Sequence, residues 1–162
     1  MTVRRAILDD LPAITEIYND AVLNTIATFD TQPKSLDEQK AWFSEHGMKY
    51  PLMVAEIDGA VTGWASLSRW SGRCAYANTA EISVYVSRIH RRKGIGRQLI
   101  REIVAEGQRV GLHTLIARIA GGNEVSIRLH ESAGFKHIGI LREVGEKFGK
   151  LIDVHMMQKI YP

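Results

Sequence analysis

Seven consecutive residues invite chemistry first: Arg91, Arg92, Lys93, Gly94, Ile95, Gly96 and Arg97, a basic turn with two glycines between a strand pattern and a helix pattern. The opening N–H groups of a helix have no partner within the helix and carry partial positive charge. Glycine lets an anion approach the backbone closely, and flanking Arg and Lys add charge-assisted hydrogen bonds. Such a turn suits a phosphate, and a pyrophosphate fits it well. It is neither common phosphate loop: no G-x-x-x-x-G-K-[ST] is present, and Leu99 stands where G-x-G-x-x-G needs its third glycine. A bare G-x-G turn also has an ordinary reading, as a solvated basic turn.

Charge and composition narrow the partners. The chain has 162 residues and a formal net charge of +3. Much of the surplus lies in Arg88, His90, Arg91, Arg92, Lys93 and Arg97, which calls for a local anionic ligand. With no exposed aromatic stripe to stack bases, nucleic acid is not the expected partner. The histidines show no H-E-x-x-H spacing, so no metal is expected. Cys74 is the single cysteine and cannot form an internal disulfide, which fits a reducing compartment. The N-terminus has no apolar signal core, and no apolar run is long enough to cross a bilayer. A cytoplasmic protein without membrane partners is expected.

The elements that must position the turn follow from periodicity. Thr2 to Ile7 reads as a strand. Asp9 or Asp10 then caps a helix with Pro12 in its first turn and Leu11, Ile14, Ile17, Tyr18, Ala21 and Val22 on one face. Residues 24–33 read as loop, and Ser35 caps a helix through Trp42 and Phe43. Leu52 to Ile57 and Val61 to Ser68 form a hairpin about Asp58-Gly59. Residues 69–78 are a loop. Ala80 to Ser87 alternates, with Ala80, Ile82, Val84 and Val86 on one face and Glu81, Ser83 and Tyr85 on the other. A helix spans about Ile95 to Val110 and stops at Gly111. Leu115 to Ile119 is a strand, and Asn123 or Glu124 opens a helix that ends at Gly134. Lys136 to Val144 and Leu151 to Gln158 flank a turn at Phe148-Gly149. The order β, α, α, β, β, β, α, β, α, β, β describes one α/β domain, residues 1–162, with a mixed sheet. Trp42, Phe43 and Trp64 are expected in the core.

The helix from Asn123 carries a second signal: Asn123-Glu124-Val125-Ser126-Ile127-Arg128-Leu129-His130-Glu131-Ser132-Ala133-Gly134-Phe135, one strand after the basic turn. Together the two segments resemble the GNAT (Gcn5-related) N-acetyltransferase superfamily. Its acetyl-CoA motif [QR]-x-x-G-x-[GA] is matched by Arg91, Gly94 and Gly96, and its next motif is an Asn-headed helix ending in Gly-Phe. Thr79 to Val86, Ile17 to Val22, Ala41 to Phe43 and Gly145 to Asp153 are similar to segments of phosphinothricin and methionine sulfoximine acetyltransferases. The similarity runs from Val3 to Gln158.

The resemblance implies the GNAT fold, a mixed, mostly antiparallel central sheet flanked by helices. It implies a cytoplasmic homodimer that uses acetyl-CoA as cosubstrate, without metal, to acetylate the α-amine of a small amino acid analogue. Carried over, the backbone of Val84, Tyr85 and Val86 holds the pantetheine arm and acetyl carbonyl. Arg91, Arg92, Lys93, Gly94, Ile95, Gly96 and Arg97 wrap the pyrophosphate, and Asn123 and Ser132 contact the coenzyme further along. Glu81 is the implied base and His130 the candidate acid, where many superfamily members place a tyrosine. Read from its strand alone, Glu81 is a carboxylate paired with a surface cation, and His130 a packed helix histidine. Trp70, Arg73, Ser83, Lys147 and Glu81 are the candidate acceptor residues. The chain departs from the subfamily at Ser71, Gly72 and Arg73, where many relatives carry an Arg directly after the tryptophan and aromatic residues soon after. Two rivals follow: acetylation of a protein N-terminus or lysine, and a non-catalytic acyl-CoA-binding module.

Overall fold

The computed structural model describes residues 1–162. In chain order it contains β1 (Thr2–Arg5), α1 (Leu11–Asn24), α2 (Leu36–Ser44), β2 (Leu52–Ile57), β3 (Ala60–Arg69), β4 (Thr79–Val86), α3 (Ile95–Arg109), β5 (Thr114–Ala120), α4 (Glu124–Ser132), β6 (Lys136–Lys147) and β7 (Lys150–Ile160). The order is the one expected. One seven-stranded sheet runs β1-β2-β3-β4-β5-β7-β6. Every pairing is antiparallel except that of β4 with β5.

Apolar residues fall on both faces of the sheet, so each face needs a cover. On one face α3 inserts Ile95, Leu99, Ile100 and Ile103 among Ala65, Leu67, Ala80, Ile82 and Leu115, and Ile127 of α4 joins the same cluster. On the other, α1 and α2 cover a smaller cluster of Ile14, Ile17, Leu52, Val54 and Trp64. The expected alternation of β4 holds: Ala80 and Ile82 are buried in the larger cluster, and Val84 and Val86 pack against it. Asp58 and Gly59, both at positive φ, make the β2–β3 turn as read. Gly111, at φ 80°, supplies the left-handed residue that stops α3.

Several local expectations are corrected. β1 stops at Arg5 because residues 8–10 turn as a 3-10 helix. Asp10 does not cap α1 with its side chain; its carboxylate accepts from Ile7 N at 2.8 Å and from both Arg4 Nη atoms at 2.7 and 2.8 Å. Trp42 and Phe43 are half-buried rather than core, while Trp64 is buried. β6 continues to Lys147 through a register shift between Leu141 and Gly145, with Glu143 at φ 50°.

Arg4 ties the sheet edge to the start of α1 by bonding both Asp10 and Glu56. The pair holds the Asp10 carboxyl below the ordinary carboxylate range, against the opposing effect of burial. A lowered folded value means the stabilisation is full above the ordinary aspartate value and is lost as pH falls through the folded one. Asp10→Ala should lower the unfolding free energy at pH 7 by about 1.5–3 kcal/mol, the range for hydrogen bonds to charged groups. In urea melts the gap to wild type should narrow as pH drops below about 4.

Candidate functional site

The functional cleft opens where one strand pairing ends. β4 and β5 pair only at Thr79–Thr114, Ala80–Leu115 and Glu81–Ile116. Beyond Glu81 the strands part, although β4 continues to Val86 and β5 to Ala120. The β4 edge from Ile82 onward therefore lacks a strand partner on this side, and unpaired backbone groups seek hydrogen bonds. A cleft of about 520 Å³ fills the gap, lined among others by Glu81, Ser83, Val84, Tyr85, Arg118, Asn123 and His130.

Register decides which side chains reach its α1 side. Trp64 pairs with Tyr85, Ser66 with Ser83, and Ser68 with Glu81, so these pairs share one face. A second chamber of about 390 Å³ adjoins the cleft and shares Tyr18, Asp30, Ser68, Ser83 and Tyr85 with it. Gln39, Trp42 and Trp64 wall its far side.

The loop between α1 and α2 roofs the cleft, and Ile17-Tyr18-Asn19-Asp20 explains how it is held. Tyr18 Oη donates to Asp30 and lies 3.0 Å from Thr28 Oγ1. Burial and the Asp30 bond push the Tyr18 phenol above its ordinary value, so it stays protonated. Asn19 bonds Lys34 twice, donating from Nδ2 to O at 2.9 Å and accepting from N at 2.8 Å. Tyr85 Oη donates to Ala27 O at 3.3 Å. Phe29 seats on Gly145, where an added Cβ would run into the ring.

The basic turn leads from the end of β4 into α3 and does not itself line the cleft. Arg92 at φ 63° and Gly94 at φ 78° bend the chain into α3. No side chain caps α3, whereas Ser35 and Glu38 form a reciprocal cap on α2 and Asn123 Oδ1 accepts from Ser126 N at 3.3 Å on α4. The first α3 N–H groups thus have no side-chain acceptor, and they lie beside exposed Arg91, Arg92, Lys93 and Arg97. Ile95 is 1% exposed and can offer only its backbone. Arg91 Nε donates to Val86 O at 3.5 Å, linking the turn to the open edge of β4. Arg88 instead pairs with Asp20 on α1 and is drawn out of the cluster.

Of the candidate reactive groups, Glu81 is 22% exposed and held bidentately by Arg118, with Nε–Oε1 2.6 Å and Nη2–Oε2 2.7 Å. Arg118 also lies over the Trp70 ring, 5.6 Å from its centroid. The paired-carboxylate reading of Glu81 therefore has its cation, inside the cleft. His130 is 4% exposed; its Nδ1 lies 2.8 Å from Ser126 O, and a carbonyl only accepts, so Nδ1 carries the proton. Burial pulls the imidazole below its ordinary value, so the ring is neutral at pH 7 with Nε2 unprotonated. That geometry runs against the expected acid role, because the one available proton is already donated to backbone.

Ser83 lines both cavities. Trp70 is half-buried and meets the site only through Arg118. Arg73 is exposed, precedes the 3-10 turn Cys74–Tyr76 and does not line the cleft. Lys147 does not line it either: 4% exposed, it donates to Thr28 O at 2.8 Å and anchors the roof. Ser132 is exposed and donates to Leu129 O at 2.7 Å on the last turn of α4. Sequence reasoning missed Arg118, Tyr18, Thr28 and Asp30. The signal for Arg118 was there: one charged residue interrupts the apolar run of β5, Leu115 to Ala120. The loop residues carried no such signal, since a loop's path is set by distant partners.

Comparisons with known proteins bear on the family and the fold. The family model described as "Acetyltransferase (GNAT) domain" matches residues 3–156. The L-methionine sulfoximine/L-methionine sulfone acetyltransferase of Salmonella typhimurium is 42% identical over 159 residues, covering 98% of this chain and 93% of that protein. The crystal structure of a ribosomal-protein-alanine N-acetyltransferase from Brucella melitensis superposes with TM-score 0.96 at 40% identity, covering 99% of this chain and 100% of that one. A GNAT superfamily phosphinothricin acetyltransferase from Sinorhizobium meliloti, solved with acetyl-CoA, gives TM-score 0.95 at 40% identity, covering 98% and 87%.

The anchoring of the roof is testable apart from catalysis. Burial pushes the Lys147 ammonium below its ordinary value, the Asp30 charge acts in the opposite direction, and the hydrogen bond of the ammonium goes to the Thr28 carbonyl. Lys147→Met keeps the aliphatic stem and strips that carbonyl of its donor. Unfolding free energy should fall by about 1–3 kcal/mol, and amide exchange should accelerate over residues 26–31 more than in β2 or β3.

Proposed function

The chain belongs to the GNAT acetyltransferase family, and from that premise we propose that it transfers the acetyl group of acetyl-CoA to the α-amine of a small amino acid of the methionine sulfone, methionine sulfoximine or phosphinothricin type. One observation carries the reading: the unpaired β4 edge lines a cleft together with Glu81 and leads, through Val86 and Arg91, to the uncapped basic start of α3. A diphosphate suits the N–H groups of Ile95, Gly96 and Arg97 together with Arg91, Arg92 and Lys93. The β4 edge at Val84, Tyr85 and Val86 suits an amide-bearing pantetheine arm, which would continue the ladder that β5 abandons. Asn123 lines the cleft on the coenzyme side, and Ser132 lies beyond it on α4.

Acetyl-CoA supplies an acyl carbon with a thiolate leaving group, and the acceptor must arrive there as a neutral amine. Glu81 takes one ammonium proton, directly or through water, and releases it to solvent. As the C–N bond forms and the C–S bond breaks, the second amine proton neutralises the departing sulfur. Neutral His130 carries neither of these protons; its Nε2 is left as a hydrogen-bond acceptor in the cleft. Ser83 and the adjoining chamber suit the acceptor's side chain. No helix is long and apolar enough to cross a membrane, in keeping with the cytoplasmic site of action we propose.

Two copies are proposed to associate through β6, the edge strand, where Ile138, Leu141, Val144 and the neighbouring Leu151 expose apolar surface. A monomer by sedimentation equilibrium at micromolar concentration would remove that part.

The rival acceptor, a protein N-terminus, draws support from the Brucella melitensis neighbour's name. Thiol release measured over a panel of L-methionine sulfone, L-methionine sulfoximine, phosphinothricin, free amino acids and alanine-headed peptides separates the two. Turnover confined to peptides overturns the small-molecule reading. Acetyl-CoA binding with no turnover anywhere would leave a binding module. Glu81→Gln should lower kcat/KM by about 10²-fold or more, the share a positioned base contributes, while acetyl-CoA affinity stays within a few-fold. His130→Phe should retain turnover within about tenfold, a bound set by the neutral ring's lack of a spare proton; a larger loss at unchanged stability would restore an acid role.

A further inference from the structure

We propose that Arg118 binds the α-carboxylate of the acceptor, so that the Glu81–Arg118 ion pair is a receptor for an amino acid zwitterion. The inference rests on the acceptor reading above and names what selects an amino acid over other amines.

The two charges sit side by side in the cleft. Glu81 and Ile116 pair across the parallel seam, and Arg118 follows Ile116 by two residues, so Glu81 and Arg118 share a face just where the strands part. Their side chains meet in a bidentate contact of 2.6 and 2.7 Å. Arg118 is nevertheless 54% exposed, so part of its donor fork is open to a ligand. The Trp70 ring supports the guanidinium at 5.6 Å.

An amino acid carries its ammonium and carboxylate on one carbon and presents the complementary pair of charges at matching spacing. On binding, the guanidinium turns one or both N–H groups from Glu81 to the substrate carboxylate, and Glu81 turns to the substrate ammonium. This exchange of partners conserves the number of charge-assisted contacts, so neither side chain is left bare in the cleft. It also loosens the grip of Arg118 on Glu81 only when the correct substrate is present, which frees the carboxylate to take a proton. The other cations considered for the carboxylate are unsuited: Arg73 lies outside the cleft, and Lys147 is committed to Thr28 O.

The test compares two acceptors that differ only in the carboxylate: L-methionine sulfone and 3-(methylsulfonyl)propan-1-amine. kcat/KM is measured for both with wild type, Arg118→Met and Arg118→Lys, with thermal midpoints as the folding control. Wild type should prefer the amino acid. In Arg118→Met that preference should fall at least about tenfold, chiefly through KM for the amino acid, as expected for a lost charge-assisted pair. Arg118→Lys should keep part of it. Equal losses on both acceptors would show that Arg118 only orients Glu81, and the proposal falls while the acceptor reading stands. If wild type acetylates neither compound yet binds acetyl-CoA, the acceptor reading itself fails and takes this inference with it.

Discussion

The parting of β4 from β5 is the constraint on which the rest of this molecule depends. A sheet gains stability by pairing every backbone group, and here a central pairing ends after three residue pairs while both strands run on. Such an opening would be costly at random. It is tolerable because the flanking strands stay fully paired: β3 follows β4 from Arg69 to Gly63, and β7 follows β5 along its whole length. The gap is thus held open by rigid walls, and a ligand with amide groups is the natural occupant.

The surroundings read as consequences of that opening. The seam leaves Glu81 as its last paired residue, with Arg118 beside it. The row of residues facing α1 is polar near the seam and aromatic away from it, so the loop above must contribute polar partners of its own. Tyr18, Asn19 and Lys147 do so by fixing Thr28, Asp30 and Lys34 in place. Binding residues on a loop are useful only when the loop is positioned, and here positioning comes from one helix and one distant strand.

Much of this was legible in the residues. The eleven elements followed from periodicity and from local stops such as Asp58-Gly59 and Gly111, because those signals act within a few residues. The basic turn into a helix was legible for the same reason: Arg92, Gly94 and the start of α3 are contiguous in the chain. The limits arose where partners are far apart. Lys147 looked like a substrate cation because nothing nearby revealed Thr28, which lies across the roof. Asp10 looked like a helix cap, yet Arg4 from the neighbouring strand claimed its carboxylate. His130 was placed in the cleft correctly, but its proton inventory depended on Ser126 O, one turn back on its own helix. Glu81 had two readings, base or ion-pair partner, and the geometry makes them compatible: the partner is itself in the cleft.

The uncapped start of α3 carries one more consequence. α2 and α4 bring their own caps in Ser35 and Asn123, and α1 has in its first turn Pro12, which has no N–H to satisfy. α3 has none of these, although its apolar stripe anchors the larger core. The first N–H groups of this helix therefore have no side-chain partner within the chain. With the coenzyme's diphosphate seated there as proposed, mass action ties helix and solute together: as the anion is depleted, the folded population would lose a stabilising term that no residue of the chain replaces, and the protein's durability would follow the supply of its own reactant.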